Sequence, residues 1–160
     1  MDRLVPDNNK EVLLHLQEIS KELEEELDNT LEEDANFNAA PGEWSVKEIV
    51  CHLRDAEHIY YRRLQQMLED DEPFLRAFNP DELASERDYQ AADWGEAVAA
   101  FKENRATNLN LLTELRPVQW LKGAIHQERG HITVHDIAEA LVQHSTDHLE
   151  QIRHVRWLAK

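Results

Sequence analysis

The sequence predicts an all-α fold, a four-helix bundle with one long crossover and a short extra helix. Three observations carry that expectation. Four Gly and five Pro in 160 residues leave few breakpoints. Between them, apolar residues recur every three or four positions, the period of an amphipathic helix. No segment alternates apolar and polar residues for long enough to mark a half-buried strand. The length suits one domain, residues 1–160, and 41% apolar residues are enough for a single core.

The first helix is expected over residues 9–34, with Leu16, Ile19, Leu23 and Leu27 at helical spacing. Phe37-Asn38-Ala39-Ala40-Pro41-Gly42 separates it from the second, which Ser45 caps and which continues to about Leu68. Ser45-Val46-Lys47-Glu48 is a capping box, and Trp44 just before it can act as a hydrophobic staple. Asp70-Asp71-Glu72-Pro73 ends the second helix, and residues 73–92 form the crossover, with a short helix around residues 80–85. Asp93 caps a third helix carrying Trp94, Ala97, Val98, Phe101, Leu112 and Leu115 inward. It stops at Arg116-Pro117, because the residue before proline resists the α region. A polar loop over residues 118–132 leads to Thr133, the cap of a final helix with Val134, Ile137, Leu141, Ile152 and Val155 on one side, reaching Trp157 or beyond.

Charge excludes some partners. There are 33 acidic residues against 17 Lys and Arg, a net charge of −16. Duplex affinity comes mainly from cations displacing counterions, so nucleic acid is not expected as a partner. The excess is concentrated in the first half, with nine acids between Glu18 and Asp34 against the single Lys21. This pattern reads as a solvated helix face. The longest apolar run, Ala97-Val98-Ala99-Ala100-Phe101, is far short of the roughly 20 residues a membrane span needs. The amino terminus has neither a basic nor an apolar signal region, and the single cysteine, Cys51, has no internal partner. Both features fit a reducing cytoplasm.

Polar residues on inward stripes are the positions to examine, because a bundle core should be apolar. On the final helix His148 falls near the middle of the apolar cluster and His144 roughly 60° from its centre. Spaced i, i+4, the two imidazoles share a face and can bind one ion, although such pairs also occur as plain packing. On the second helix His52 lies on the flank of the buried stripe, about 90° from its centre, where it can face a neighbouring helix or bond a backbone carbonyl. Three neutral imidazoles would match the ligand set of an open, catalytic zinc site. Cys51 is rotated away from its neighbour His52 and is assigned to packing. On the third helix Arg105 and Asn108 fall on the inward arc. Arg105 is a candidate for binding an anionic substrate or thiol, or for pairing with a helix carboxylate. Asp147 is a candidate partner for a ligand imidazole. His135 and His154 point outward, and His58, His126 and His131 are left undecided, the last two within reach of overhanging a pocket.

Read together, Pro41-Gly42-Glu43-Trp44-Ser45-Val46-Lys47-Glu48-Ile49-Val50-Cys51-His52-Leu53 and His144-Ser145-Thr146-Asp147-His148-Leu149-Glu150-Gln151-Ile152 resemble the DinB-like superfamily. The shared pattern is a Trp-Ser-x-x-Glu helix start leading to a first histidine, then His-x-x-x-His and Leu-x-Gln-Ile on the last helix. Asp147 stands where many members have an extra histidine that is not a ligand. The resemblance implies an up-down-down-up bundle, commonly a homodimer, with His52, His144 and His148 binding a divalent metal, usually zinc or nickel. It also implies either transfer or isomerisation chemistry using a low-molecular-weight thiol such as bacillithiol or mycothiol, or metal-dependent hydrolysis.

Three functions follow as expectations. The first is a thiol-dependent S-transferase or isomerase in which the metal activates a cofactor thiol. The second is a hydrolase, with Glu48, one turn before His52, as the nearest candidate base. The third is a non-catalytic dimeric module cross-linked by metal, with Trp157 and Cys51 offering apolar surface. All three place a small-molecule or metal site inside the bundle.

Overall fold

The computed structural model describes residues 4–160, with side chains from residue 8 onward. Four long helices are present, α1 (Leu4–Asp28), α3 (Val46–Glu69), α5 (Trp94–Thr113) and α6 (Val134–Leu158), with two short ones, α2 (Glu32–Ala35) and α4 (Pro80–Glu86). Their starts follow the expected capping chemistry. Ser45 accepts from the Glu48 N–H while Glu48 accepts from the Ser45 N–H, closing the capping box. Asn79 caps α4, Asp93 caps α5, and Thr133 forms a second box with Asp136 at α6. The reading of the amino terminus as free of a secretory signal involves residues 1–3, which lie outside the described residues.

Cross-helix hydrogen bonds set the direction of each helix. Between α1 and α6, Asn9 pairs with His135 at 2.7 Å and Glu26 with Arg153 at 2.8 Å, so numbers rise together and the helices run parallel. Between α3 and α5, the Asn104 amide reaches the Arg54 carbonyl and the Asn108 amide the Glu57 carbonyl, again in parallel order. Between α1 and α5 the order reverses, because Ser20 meets Arg105 and Asp28 meets Lys102. The bundle is therefore up-down-down-up, as the family resemblance implies. Because α3 and α5 are parallel neighbours, the chain must travel back the length of a helix between them. Its return path over residues 70–93 is fastened to α3: the Tyr89 hydroxyl donates to Asp55 at 2.6 Å, Arg87 pairs with the same carboxylate at 3.1 Å, and Lys47 donates to the Gln90 carbonyl.

Leu16, Leu23, Ile49, Leu53, Leu64, Met67, Phe101, Leu112, Ile137, Leu141 and Ile152 form the centre of the core. Among them sits a fully buried guanidinium. Arg105 is 1% exposed and pairs through Nε with Glu57, itself 2% exposed. Its Nη1 donates to Ser20 Oγ and its Nη2 to Ser145 Oγ, both at 2.6 Å, while Asn108 donates to the Glu57 carboxylate. The expectation that Arg105 offers its charge to an anionic substrate is overturned, because every nitrogen of the fork is committed inside the bundle and none faces solvent.

Three further expectations are corrected. The first helix does not run unbroken to Asp34. It ends at Asp28 because Arg156 binds the Glu26 carboxylate and takes up the Asn29 carbonyl at 2.8 Å, satisfying groups a continuing helix would have used. The segment expected as a polar loop contains a 3-10 turn (Pro117–Leu121) and two strands, β2 (Gly123–His126) and β3 (Gly130–Thr133). These pair antiparallel, with β1 (Phe74–Leu75) beside β2 in parallel, and Gly130 at φ +74 supplies the left-handed residue of the turn. Strands of two and four residues are too short for alternation to register. Finally, Cys51 is 0% exposed inside this chain, so it cannot supply a dimer surface; Trp157, 72% exposed, remains available.

Removing the Glu57 carboxylate would leave Arg105 charged and unpaired in the core. Glu57→Ala should lower stability in urea denaturation by about 3–5 kcal/mol, whereas Arg105→Met combined with Glu57→Leu should recover most of that loss. Equal destabilisation by the single and double variants would contradict the pairing.

Candidate metal centre

The capping box fixes where α3 begins, and His52 lies two turns further along, on the side that α6 covers. On α6, His144 and His148 stand one turn apart on the face turned to α3. The structure brings all three together. His52 Nε2 lies 2.9 Å from His144 Nε2, and His148 Nε2 lies 3.1 Å from the same atom. One nitrogen of each ring lies within 4.8 Å of the others, and among the described residues this is the one group of three or more histidine, cysteine or carboxylate side chains so arranged. Although His52 is on the flank of its own helix stripe, it is only 4% exposed, because α6 packs on that flank.

The rings are held neutral. Burial lowers the His52 pKa to about 4, with His148 adding to the effect, and burial lowers His144 to about 3, helped by His148, His52 and Arg105. Burial also lowers His148, opposed by its hydrogen bond to Gln151 and by Asp147. With Gln151 Oε1 as the acceptor, His148 donates from Nδ1 at 2.8 Å and turns its Nε2 lone pair toward the cluster. His144 Nε2 faces two other ring nitrogens and carries at most one proton, so hydrogen bonding can satisfy only one of its two contacts. A shared cation would satisfy all three nitrogens. Two nitrogens bound to one ion at about 2.0–2.1 Å stand roughly 2.9–3.4 Å apart, close to the observed spacing. The donor set therefore fits a divalent metal such as zinc or nickel. His52 Nδ1 is buried without a partner.

Around the cluster, the Trp44 ring lies 5.1 Å from His52 and the Tyr60 ring 6.2 Å from His144. Trp44 also forms part of the wall of a cleft of about 740 Å³ between the turn before α3 and the crossover, where Tyr89 and Gln90 face it. The histidines do not line that cleft. Among the described residues no carboxylate joins the cluster; on α3, Glu48 accepts through Oε1 from its cap and from Asn38, Asp55 is held by Arg54, Arg87 and Tyr89, and Glu57 by Arg105 and Asn108.

Other histidines stand apart from the cluster. His58, His131 and His154 are exposed; His126, on β2, is buried and its Nδ1 accepts from the Glu128 and Arg129 N–H groups. His135, expected at the surface, is half-buried between Asn9 and Glu139. Asp147 accepts from Gln143 rather than from a ligand ring, and Gln151 takes that place. The sequence signal for Gln151 was its position three residues after His148, one helical turn along the same face.

A model of the DinB superfamily matches residues 15–152. The chain is 24% identical over 138 residues to "Putative metal-dependent hydrolase YfiT" of Bacillus subtilis strain 168, covering 86% of this chain and 78% of that protein. It is 22% identical over 155 residues to "Putative metal-dependent hydrolase OB0413" of Oceanobacillus iheyensis, covering 95% of this chain and 87% of that protein. The solved structure of YfiT, titled a probable metal-dependent hydrolase with an unusual four-helix bundle topology, matches with a TM-score of 0.80 at 22% identity, over 92% of this chain and 85% of that one. The family match reaches from within α1 to within α6 and takes in both the capped start of α3 and the two histidines of α6, so the chain belongs to the DinB superfamily.

Proposed function

We propose that the protein is a divalent-metal-dependent enzyme in which His52, His144 and His148 hold the ion, and that it transfers a low-molecular-weight thiol such as bacillithiol or mycothiol to an electrophile. The observation that carries this is the convergence of three neutral imidazole nitrogens with no carboxylate among them. When bound, zinc or nickel supplies a Lewis acid that lowers the pKa of a coordinated thiol or water and leaves at least one position open. The three rings add no negative charge, so the ion's attraction for an anionic nucleophile is undiminished. Asp55 and Glu57 are both committed to other partners through both carboxylate oxygens. A thiol, with a pKa of about 8.5, loses its proton with far less help than water, at about 15.7.

Hydrolysis is the second reading, and what favours it is the naming of both curated relatives as metal-dependent hydrolases. Glu48 is its candidate base: Oε1 accepts from both the Ser45 N–H and Asn38, while Oε2 has no hydrogen-bond partner among the described residues. Loading the protein with zinc or nickel and supplying bacillithiol, mycothiol or glutathione with a test electrophile should give metal-dependent thiol consumption, followed by free-thiol assay. Ester or amide cleavage without thiol consumption would select the hydrolase, and neither activity in a loaded protein would leave a metal cross-link between α3 and α6.

Each of His52→Ala, His144→Ala and His148→Ala should weaken zinc binding by more than Gln151→Ala, whose loss of an orienting hydrogen bond should cost roughly 10–100-fold. Competition titration with a chelating dye reads the order directly. Binding should also resist acid. Only neutral rings bind metal; burial keeps His52 and His144 neutral well below pH 6.5 and lowers the His148 pKa as well. Zinc affinity should therefore fall less than about threefold between about pH 7.5 and about pH 6, where three unshifted histidines would lose roughly 50-fold. A steep loss over that interval would show that the rings titrate normally.

A further inference from the structure

In a chain with nearly twice as many acidic as basic residues, a buried arginine without a carboxylate partner calls for an explanation. Arg63, on α3, is such a residue. It is 9% exposed, and among the described residues no carboxylate pairs with it. Its guanidinium donates from Nη2 to the Arg76 carbonyl at 2.7 Å and lies between two aromatic rings, 5.8 Å from the centre of Tyr60 and 5.8 Å from that of Phe78. Among the described residues Nε and Nη1 have no hydrogen-bond partner, yet neither is sealed from solvent. A planar cation held by rings on its faces and by one carbonyl at its edge keeps donors free for a planar anion.

Two neighbours connect this arginine with the histidine cluster. The Tyr60 ring that packs on Arg63 is the ring that lies 6.2 Å from His144. Arg129, in the turn between β2 and β3, is close enough for its charge to act on both Tyr60 and Arg63, and among the described residues it too has no carboxylate partner. Elsewhere in the bundle, Arg54, Arg87, Arg105, Arg153 and Arg156 all pair with acids. Arg62, Arg76 and Arg116 also lack an acid partner among the described residues but are exposed; Arg63 is the buried one, and it bonds the Arg76 carbonyl next to β1, whose partner β2 leads into the turn that carries Arg129.

We infer that Arg63 and Arg129 form a carboxylate-binding subsite, separated from the three histidines by the Tyr60 ring, that receives the anionic end of the substrate or thiol. It rests on the reading of the histidine cluster as the reacting centre. Arg63 supplies Nε and Nη1 to the carboxylate, Arg129 adds charge from the exposed turn, and Tyr60 lines the path between. The ligand would carry its reacting atom several bonds from the carboxylate, as the width of an aromatic ring intervenes. This subsite would favour acidic thiols or acidic electrophiles over neutral ones despite the protein's overall negative charge, because attraction at close range outweighs the screened repulsion of distant surface acids.

Succinate, with neutral succinamide as its control at matched chloride ionic strength, is a suitable probe. Thermal melting of the metal-free protein should rise with succinate and not with succinamide, since binding to the folded state alone raises its stability. Arg63→Met should abolish that shift, while His144→Ala, which removes a proposed metal ligand, should retain it. If Arg63→Met fails to fold, Arg129→Gln, altered only in an exposed turn, should weaken succinate binding at least about threefold by calorimetry. An equal response to both probes, a shift surviving Arg63→Met, an unchanged affinity in Arg129→Gln, or a shift lost in His144→Ala would overturn the subsite. Because zinc is absent throughout, failure of metal binding or of thiol transfer leaves this result readable.

Discussion

The buried pairing of Arg105 with Glu57 is the constraint on which the bundle depends. A guanidinium removed from water is costly unless its charge and its donors are matched. Here the matching groups come from all four long helices: Ser20 from α1, Glu57 from α3, Arg105 and Asn108 from α5, and Ser145 from α6. A slip of any one helix would leave part of the set without a partner, so the network selects a register that apolar packing alone tolerates more loosely. Ser145 follows His144 directly, and Glu57 stands five residues beyond His52. The helices that carry the candidate ligands are thus clamped beside the ligands themselves.

This clamp has an electrostatic consequence. With Glu57 neutralised by Arg105 and Asp55 held by its own partners, no carboxylate among the described residues joins the histidines, and burial keeps them uncharged. The large acidic excess lies elsewhere, mostly on the outer face of α1 and in α2, where Glu18, Glu22, Glu25, Asp28, Glu32 and Glu33 are exposed. Net charge and the chemistry of the interior are consequently separate properties of this protein. The acidic surface opposes polyanions, whereas an ion at the histidines would be surrounded by neutral nitrogen donors and would attract anions.

Much of the fold was legible because its signals are local. Ser45 with Glu48, Asp93 and Thr133 mark helix starts through hydrogen bonds spanning three residues, and the apolar stripes repeat every turn. The features that escaped depend on distant partners. The end of α1 is set by Arg156, more than a hundred residues away, and the small sheet by pairing between Phe74–Leu75 and Gly123–His126. From the sequence, Asp147 was the candidate partner for a ligand ring. Only the packed helix shows that Gln151 reaches His148 while Asp147 turns to Gln143.

By itself the sequence determined the helix pattern, the location of the acidic face and the identity of the three histidines, since each follows from periodicity or from a short motif. Tertiary structure decided whether those histidines converge, because that depends on α3 and α6 meeting on the flank of one and the face of the other. It also decided between the two roles open to Arg105, committing it to Glu57, and it left Arg63 without an acid. The physical reason is the same in each case: periodicity fixes which way a side chain leaves its own helix, whereas charge pairing and metal geometry depend on what the neighbouring helix presents.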